Sequence, residues 1–175
     1  SGGLLAFDGA LHGAATRGGP HCGGTIFRIT PDGRFNTVYA FNLDTEGIEP
    51  GGLTAVNGVF YGTTFTSNGG SGGGVGSIFK LTTDGRLQTL YVFPGSGGEN
   101  PSPSALTYVN GKLYGGTMHG GIDNAGTLFV ATTSGRKSVL RYFAREADGA
   151  SPSSRLVFVG QTLYGTAERG GSRSN

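Results

Sequence analysis

Apolar and polar residues alternate along this chain in short bursts, and nearly every burst closes on a turn signal, the pattern of half-buried strands rather than helices. Gly76–Phe93 (GSIFKLTTDGRLQTLYVF) reads as a hairpin turning at Asp84-Gly85. Gly24–Phe41 and Gly126–Phe143 repeat it, with leading glycines 52 and 50 residues apart. A second hairpin precedes each of these, at Leu4–Ala15 (a worn copy), Leu53–Thr64 and Leu106–Thr117, and it recurs after the last of them at Leu156–Thr166. Asn57-Gly58 and Asn110-Gly111 turn it through residues that tolerate positive φ. Asp8-Gly9 does so in the first copy, and Gly160-Gln161 is a weaker turn in the fourth.

One repeat therefore holds four strands, which in the second copy are Leu53–Val56, Val59–Phe65, Ser77–Thr82 and Leu87–Phe93. The third strand is apolar on both faces, with Phe27, Phe79 and Phe129 on one side and Ile26, Ile78 and Leu128 on the other. A strand buried on both faces belongs in a sheet packed between two others. A period near fifty with strands inside it points to a radial array. The fold predicted is all-β, a β-propeller-type array of four-stranded antiparallel blades. Residues 1–175 form one domain with repeats at 4–52, 53–105, 106–155 and a partial 156–175, about three and a half in all. Arg136–Asp148 is a long stretch free of Gly and Pro that alone could be read as helical, but its alignment with two strand-like copies assigns it to strands as well. The Phe27, Phe79 and Phe129 rings are expected to be almost fully buried.

Connection lengths orient the array. The two-residue turns share one edge of each sheet, and the longer connections share the other. These are Arg17–Gly23, Ser67–Val75 and His119–Ala125, and Asn42–Gly52, Pro94–Ala105 and Ala144–Arg155. Pro50, Pro101 and Pro152, spaced 51 and 51, stiffen the second kind. Function is expected on the long-loop edge. Both ends of the chain supply a first hairpin, so the fourth blade lacks its second one. The expectation is a longer array, or a second chain over the open edges.

The series LYG(T/G)T, Gly-Gly, GT(I/L)F, DG, (V/L)YxF and GxxPxxxL is similar to the GloVer tandem repeat of bacterial surface proteins, over essentially the whole chain. His12-Gly13 in place of Tyr-Gly and the glycine-rich Ser67–Val75 depart from it. The resemblance implies an exported, cell-surface protein and a β-propeller; it implies no activity.

Composition narrows the classes. Glycine is 36 of 175 residues, but at repeat positions flanked by Ile, Leu, Phe and Tyr, which argues order over disorder. A net charge of +2 from 14 % charged residues is no nucleic-acid footprint. A low-charge, Gly/Ser/Thr-rich surface leans towards a secreted or surface-exposed domain. Cys22 stands alone, which excludes an internal disulfide framework. The chain shows no apolar run of eighteen residues, and its Ser1-Gly2-Gly3 start reads as that of a processed or excised piece.

Candidate chemistry sits on the long loops. Arg17, Asn68, His119 and Arg169 each precede a Gly-Gly pair, and His21, Cys22 and Asp123 come from the same loops. The ligand-binding set predicted is Arg17, His21, Asn68, His119, Asp123 and Arg169, suited to a carbohydrate or other polar ligand such as an acidic sugar. Solvated polar loop residues are the bland alternative. No cofactor is predicted. Zinc on His21-Cys22 with His12 or His119, and calcium at Asp44, Glu46, Asp123 or Asp148, are weak patterns. The GGSGG run at Gly69–Gly73 lacks the strand-to-helix setting of a nucleophile elbow. Tyr61, Tyr114 and Tyr164 recur as core residues, with His12 in that place as a worn position. A binding or surface-structural module is the reading; a polysaccharide lyase or glycosidase on a propeller scaffold is the alternative.

Overall fold

The computed structural model describes residues 3–42, 47–66, 75–94 and 99–171. The protein is all-β, with every pair of named strands antiparallel and one 3-10 turn, Ile122–Asn124, among the described residues. The first sheet runs β1 (Leu5–Phe7), β2 (Ala10–Ala15), β3 (Cys22–Ile29) and β4 (Phe35–Asn42) in chain order. The second contains β5 (Ile48–Pro50), β6 (Thr54–Val56), β7 (Val59–Thr66), β8 (Ser77–Thr82) and β9 (Leu87–Val92). Both β5 and β6 pair with β7, so they are two halves of one broken first strand. The third sheet repeats this with β10 (Glu99–Pro101), β11 (Thr107–Val109), β12 (Lys112–His119), β13 (Thr127–Thr132) and β14 (Lys137–Tyr142). In the fourth copy β15 (Ala150–Pro152) pairs with β18 (Ala167–Arg169), and β16 (Val157–Val159) pairs with β17 (Thr162–Tyr164).

The hairpins match the sequence reading closely, and Gly160-Gln161 does turn β16 into β17. Lys137–Tyr142 is a strand, as its repeat alignment requires. The outer half of each broken strand was read as loop. β5, β10 and β15 are short, end in proline, and hold Glu49, Asn100 and Ser151 at φ of 57°, 51° and 56°, so nothing in their composition resembles a strand. The second, third and fourth copies thus begin their pairing ahead of the leading leucines Leu53, Leu106 and Leu156.

Consecutive sheets pack face to face, and alternate residues of each strand serve the two neighbours. Ile26 and Phe41 of the first sheet meet Leu53, Phe60, Phe79 and Leu81 of the second. Tyr61, Ile78 and Phe93 on the second sheet's other face meet Leu106, Leu113 and Phe129 of the third. The repeated aromatic contact is edge-to-face: Phe41 on Phe79 at 5.3 Å, Phe93 on Phe129 at 5.4 Å. Each such ring also covers the glycine directly across the ladder. Gly62 pairs with Phe79, and a Cβ there would lie 2.5 Å from the ring.

Phe79 and Phe129 are 1 % and 0 % exposed, as expected. Phe27 departs from the expectation: with no sheet before it, its ring is half-buried and stacks on its own neighbour Phe35 at 5.3 Å. At the other end a cavity of about 250 Å³ between Leu128, Phe143, Leu156, Leu163 and Gly165 lies where a fourth such ring would sit.

First strands hold the sheets together along one side. Thr54 Oγ1 donates to the Leu106 carbonyl, and Thr107 Oγ1 donates to that of Leu156. Gly52 N donates to the Pro103 carbonyl at 2.8 Å, and Ser102 Oγ to that of Ser153 at 2.7 Å. The starts of all four first strands, at Leu4, Leu53, Ala105 and Arg155, line one cleft of about 240 Å³. The fourth strands β4, β9 and β14 carry the most exposed residues of their sheets.

Candidate functional site

The end of each second strand meets the broken first strand of the next copy. There Glu49, Asn100 and Ser151 hold left-handed backbone conformations, costly for non-glycine residues. Their contacts account for it. Asn100 N donates to the Val75 carbonyl at 2.7 Å and Asn100 Nδ2 to that of Phe65 at 3.0 Å. Ser151 N donates to the Ala125 carbonyl at 2.8 Å and Ser151 Oγ to that of Met118 at 3.2 Å. Glu49 accepts from Arg17 Nε at 3.3 Å. Recurrence in three copies marks these as latches between sheets.

Between the third and fourth copies the latch opens onto a cleft of about 200 Å³, lined by His119, Asn124, Arg145, Ser151 and Arg169. The His119 ring has a buried Nδ1 with no hydrogen-bond partner. Asn124 Oδ1 is committed to Gly120 N at 2.6 Å. Neither Arg145 nor Arg169 forms an ion pair among the described residues, and Asp148 is held by Arg141 at 2.7 Å. The cleft is therefore cationic, with guanidinium forks that match a carboxylate or phosphate.

The predicted residues distribute unevenly. Arg17, His21, His119, Asp123 and Arg169 all lie at the long-loop ends of the strands, away from the turns at Asn57-Gly58, Asp84-Gly85 and Asn110-Gly111. Only His119 and Arg169 meet in one cleft. Arg17 is spent on Glu49, across a different sheet junction. His21 and Cys22 are exposed at the start of β3, and Asp123 is exposed in the 3-10 turn. Asn68 lies outside the described residues, as do Asp44, Glu46 and the GGSGG run. Arg145 was missed because it occupies no repeated position.

No group of three or more His, Cys, Asp or Glu side chains converges on a metal-sized site among the described residues. Of the two histidines read as able to complete a zinc set with His21-Cys22, His12 lies under Phe60, with ring centroids 4.7 Å apart, buried between two sheets. The Thr82 hydroxyl, with help from Arg86, holds Asp84 below the ordinary aspartate range, and Arg141 does the same to Asp148. A glycosidase acid needs the opposite shift.

Of the three repeated tyrosines only Tyr61 is core, 7 % exposed with burial pushing its phenol up; Tyr114 is half-buried, and Tyr164 on the last copy is 58 % exposed, contrary to the expectation. The Tyr61 hydroxyl bonds to Thr133 of the next sheet, which pulls slightly the other way.

Among solved structures, the chain is similar to the computationally designed Ika8 protein, at 14 % identity and a TM-score of 0.58, over 94 % of this chain and 42 % of that one. It is also similar to the computationally designed Ika4 protein, at 15 % identity and a TM-score of 0.55, over 94 % of this chain and 83 % of that one. The chain thus spans less than half the length of Ika8, and both likenesses concern the fold alone. No curated protein matches it. Over residues 63–175 the sequence matches a repeat described as the Gloeobacter/Verrucomicrobia repeat. With most of its length covered by that match, the chain belongs to the Gloeobacter/Verrucomicrobia repeat family.

Proposed function

We propose that the chain is a propeller-type repeat module of an exported, surface-located protein. It works by binding a small anionic ligand, an acidic sugar for example, in the long-loop cleft between its third and fourth copies. The carrying observation is that cleft: Arg145, Arg169 and the unpartnered His119 Nδ1 converge there with no carboxylate paired to either arginine among the described residues. The convergence of four first strands on one cleft supports the radial reading of the sheets as blades. The half-covered Phe27 and the cavity over Gly165 support further repeats, or a second chain, against the end sheets. Export and surface location rest on the repeat's likeness to bacterial surface proteins.

Calorimetric titration with D-glucuronate, against D-glucose as a neutral control, tests the binding role. Arg145→Gln and Arg169→Gln should each weaken glucuronate binding about tenfold, the usual worth of one charge-assisted hydrogen bond. Equal binding of glucose and glucuronate, or wild-type affinity in both variants, would overturn the assignment.

A further inference from the structure

At the opposite, short-turn edge a groove of about 440 Å³ separates the first sheet from the second, lined in part by Asp8, His12, Arg28, Asn36, Thr37 and Thr83. His12 pairs across the ladder with Arg28, and Arg28 with Asn36, so the three form one polar row on a single sheet face. Asp8 and Asp84 enter from the turns at either side, and Phe7 and Val38 supply apolar walls. His12 is only 4 % exposed, yet neither ring nitrogen makes a well-formed hydrogen bond, the Phe7 backbone alone lying close enough to act on the ring. A buried imidazole without well-formed hydrogen bonds is costly, so it marks a site to be filled.

The repeat explains how the groove arises. His12 occupies the position of Tyr61, and Thr83 that of Thr133. Between the second and third sheets the phenol crosses the groove and bonds the threonine. Histidine is too short to do so, which leaves space and an unanswered hydroxyl on the far wall. What remains is a mixed set of donors and acceptors. Neutral imidazole offers one of each, Arg28 donates, Asn36 and Thr83 do both, and Asp8 accepts. Burial, and Arg28 beside it, favour the neutral ring, while the Phe7 backbone and Asp8 pull weakly the other way. Charge is close to balanced, since Asp84 is already paired with Arg86 at 3.1 Å.

We propose that this groove binds a neutral, hydroxyl-rich ring, a single sugar unit, with one His12 ring nitrogen answering one hydroxyl and Arg28 and Asn36 reading its neighbours. The site is separate from the cationic cleft at the long loops. Either can fail without the other, because the two differ in the charge of ligand they take.

Nuclear magnetic resonance decides it. The chain has three histidines, so the His12 imidazole signals can be assigned by substitution. Titration with D-glucose, D-galactose, D-mannose and N-acetyl-D-glucosamine should shift the His12 ring and the Thr83 and Thr37 amides with at least one of them. His12→Tyr restores the residue of the other copies, should fold with a melting temperature at or above wild type, and should abolish the amide shifts. Arg28→Gln should weaken binding about tenfold, as one charge-assisted hydrogen bond is lost. The proposal is overturned if none of the four sugars moves His12, if D-glucuronate or acetate alone does, or if His12→Tyr still binds.

Discussion

Phe79→Ala is the sharpest probe of how the sheets hold together. The ring is 1 % exposed, lies over Gly62, and meets Phe41 of the preceding sheet edge-on at 5.3 Å. Removing it forfeits roughly 1.5–3 kcal/mol of burial and about 0.5–1.5 kcal/mol of aromatic pairing. The cavity left beside Gly62 cannot be refilled from the glycine side, so the total should fall at about 3–5 kcal/mol. Phe27→Ala provides the internal comparison. Its ring occupies the same repeat position but lacks a preceding sheet, so its loss should cost roughly 1–2 kcal/mol. Urea unfolding followed by tyrosine fluorescence, which no tryptophan obscures, reads both. With a slope near ~2 kcal/mol per molar, Phe79→Ala should lower the midpoint by about 2 M and Phe27→Ala by less than half of that. Equal midpoints for the two variants would refute the claim that the ring acts between sheets.

Two further outcomes follow from contacts at the sheet junctions. Lys137 places its ammonium over the Tyr91 and Phe93 rings at 5.6 and 5.2 Å, and burial pushes its pKa down, so Lys137→Ala should cost about 0.5–2 kcal/mol in the same urea assay. Asp148 is held below the ordinary aspartate value of 3.8, first by its hydrogen bond from Arg141. The stabilisation from that depressed pKa is complete above 3.8 and is lost as pH falls through the lower folded value. The stability gap between wild type and Asp148→Asn should therefore be constant near neutrality and close below that pH; a gap that persists in acid would contradict it.

The hairpins were legible because their turns are chemically unambiguous: Asn-Gly and Asp-Gly tolerate positive φ, and alternating apolar residues fix the register. The outer halves of the first strands were not. Ile48–Pro50 forms only two ladder pairs with β7 and carries Glu49 in a left-handed conformation before a proline, features that spell a loop in any local reading. The site shows the same division. His119 and Arg169 stood out by recurrence, whereas Arg145 occupies no repeated position. Recurrence also misled. Arg17 recurs with them and turns out to be paired with Glu49, while His12, which breaks the tyrosine repeat, is a buried imidazole. A repeat exposes shared structure well, and a ligand site is where copies differ.

The latches between sheets give the array a direction. Pro50, Pro101 and Pro152 press against Gly24, Gly76 and Gly126, each a glycine of the preceding sheet held at φ of 95°, 106° and 92°. Glu49, Asn100 and Ser151 reach back to that same sheet. The first residues of every new copy therefore dock on a sheet completed earlier in the chain, before their own third and fourth strands exist. Synthesis at ~5–20 residues per second delivers a copy every few seconds, ample time for a finished sheet to template the next. Growth is vectorial. Loss of a late copy leaves its predecessors' contacts in place, whereas loss of an early one removes the surface on which its successor starts to fold.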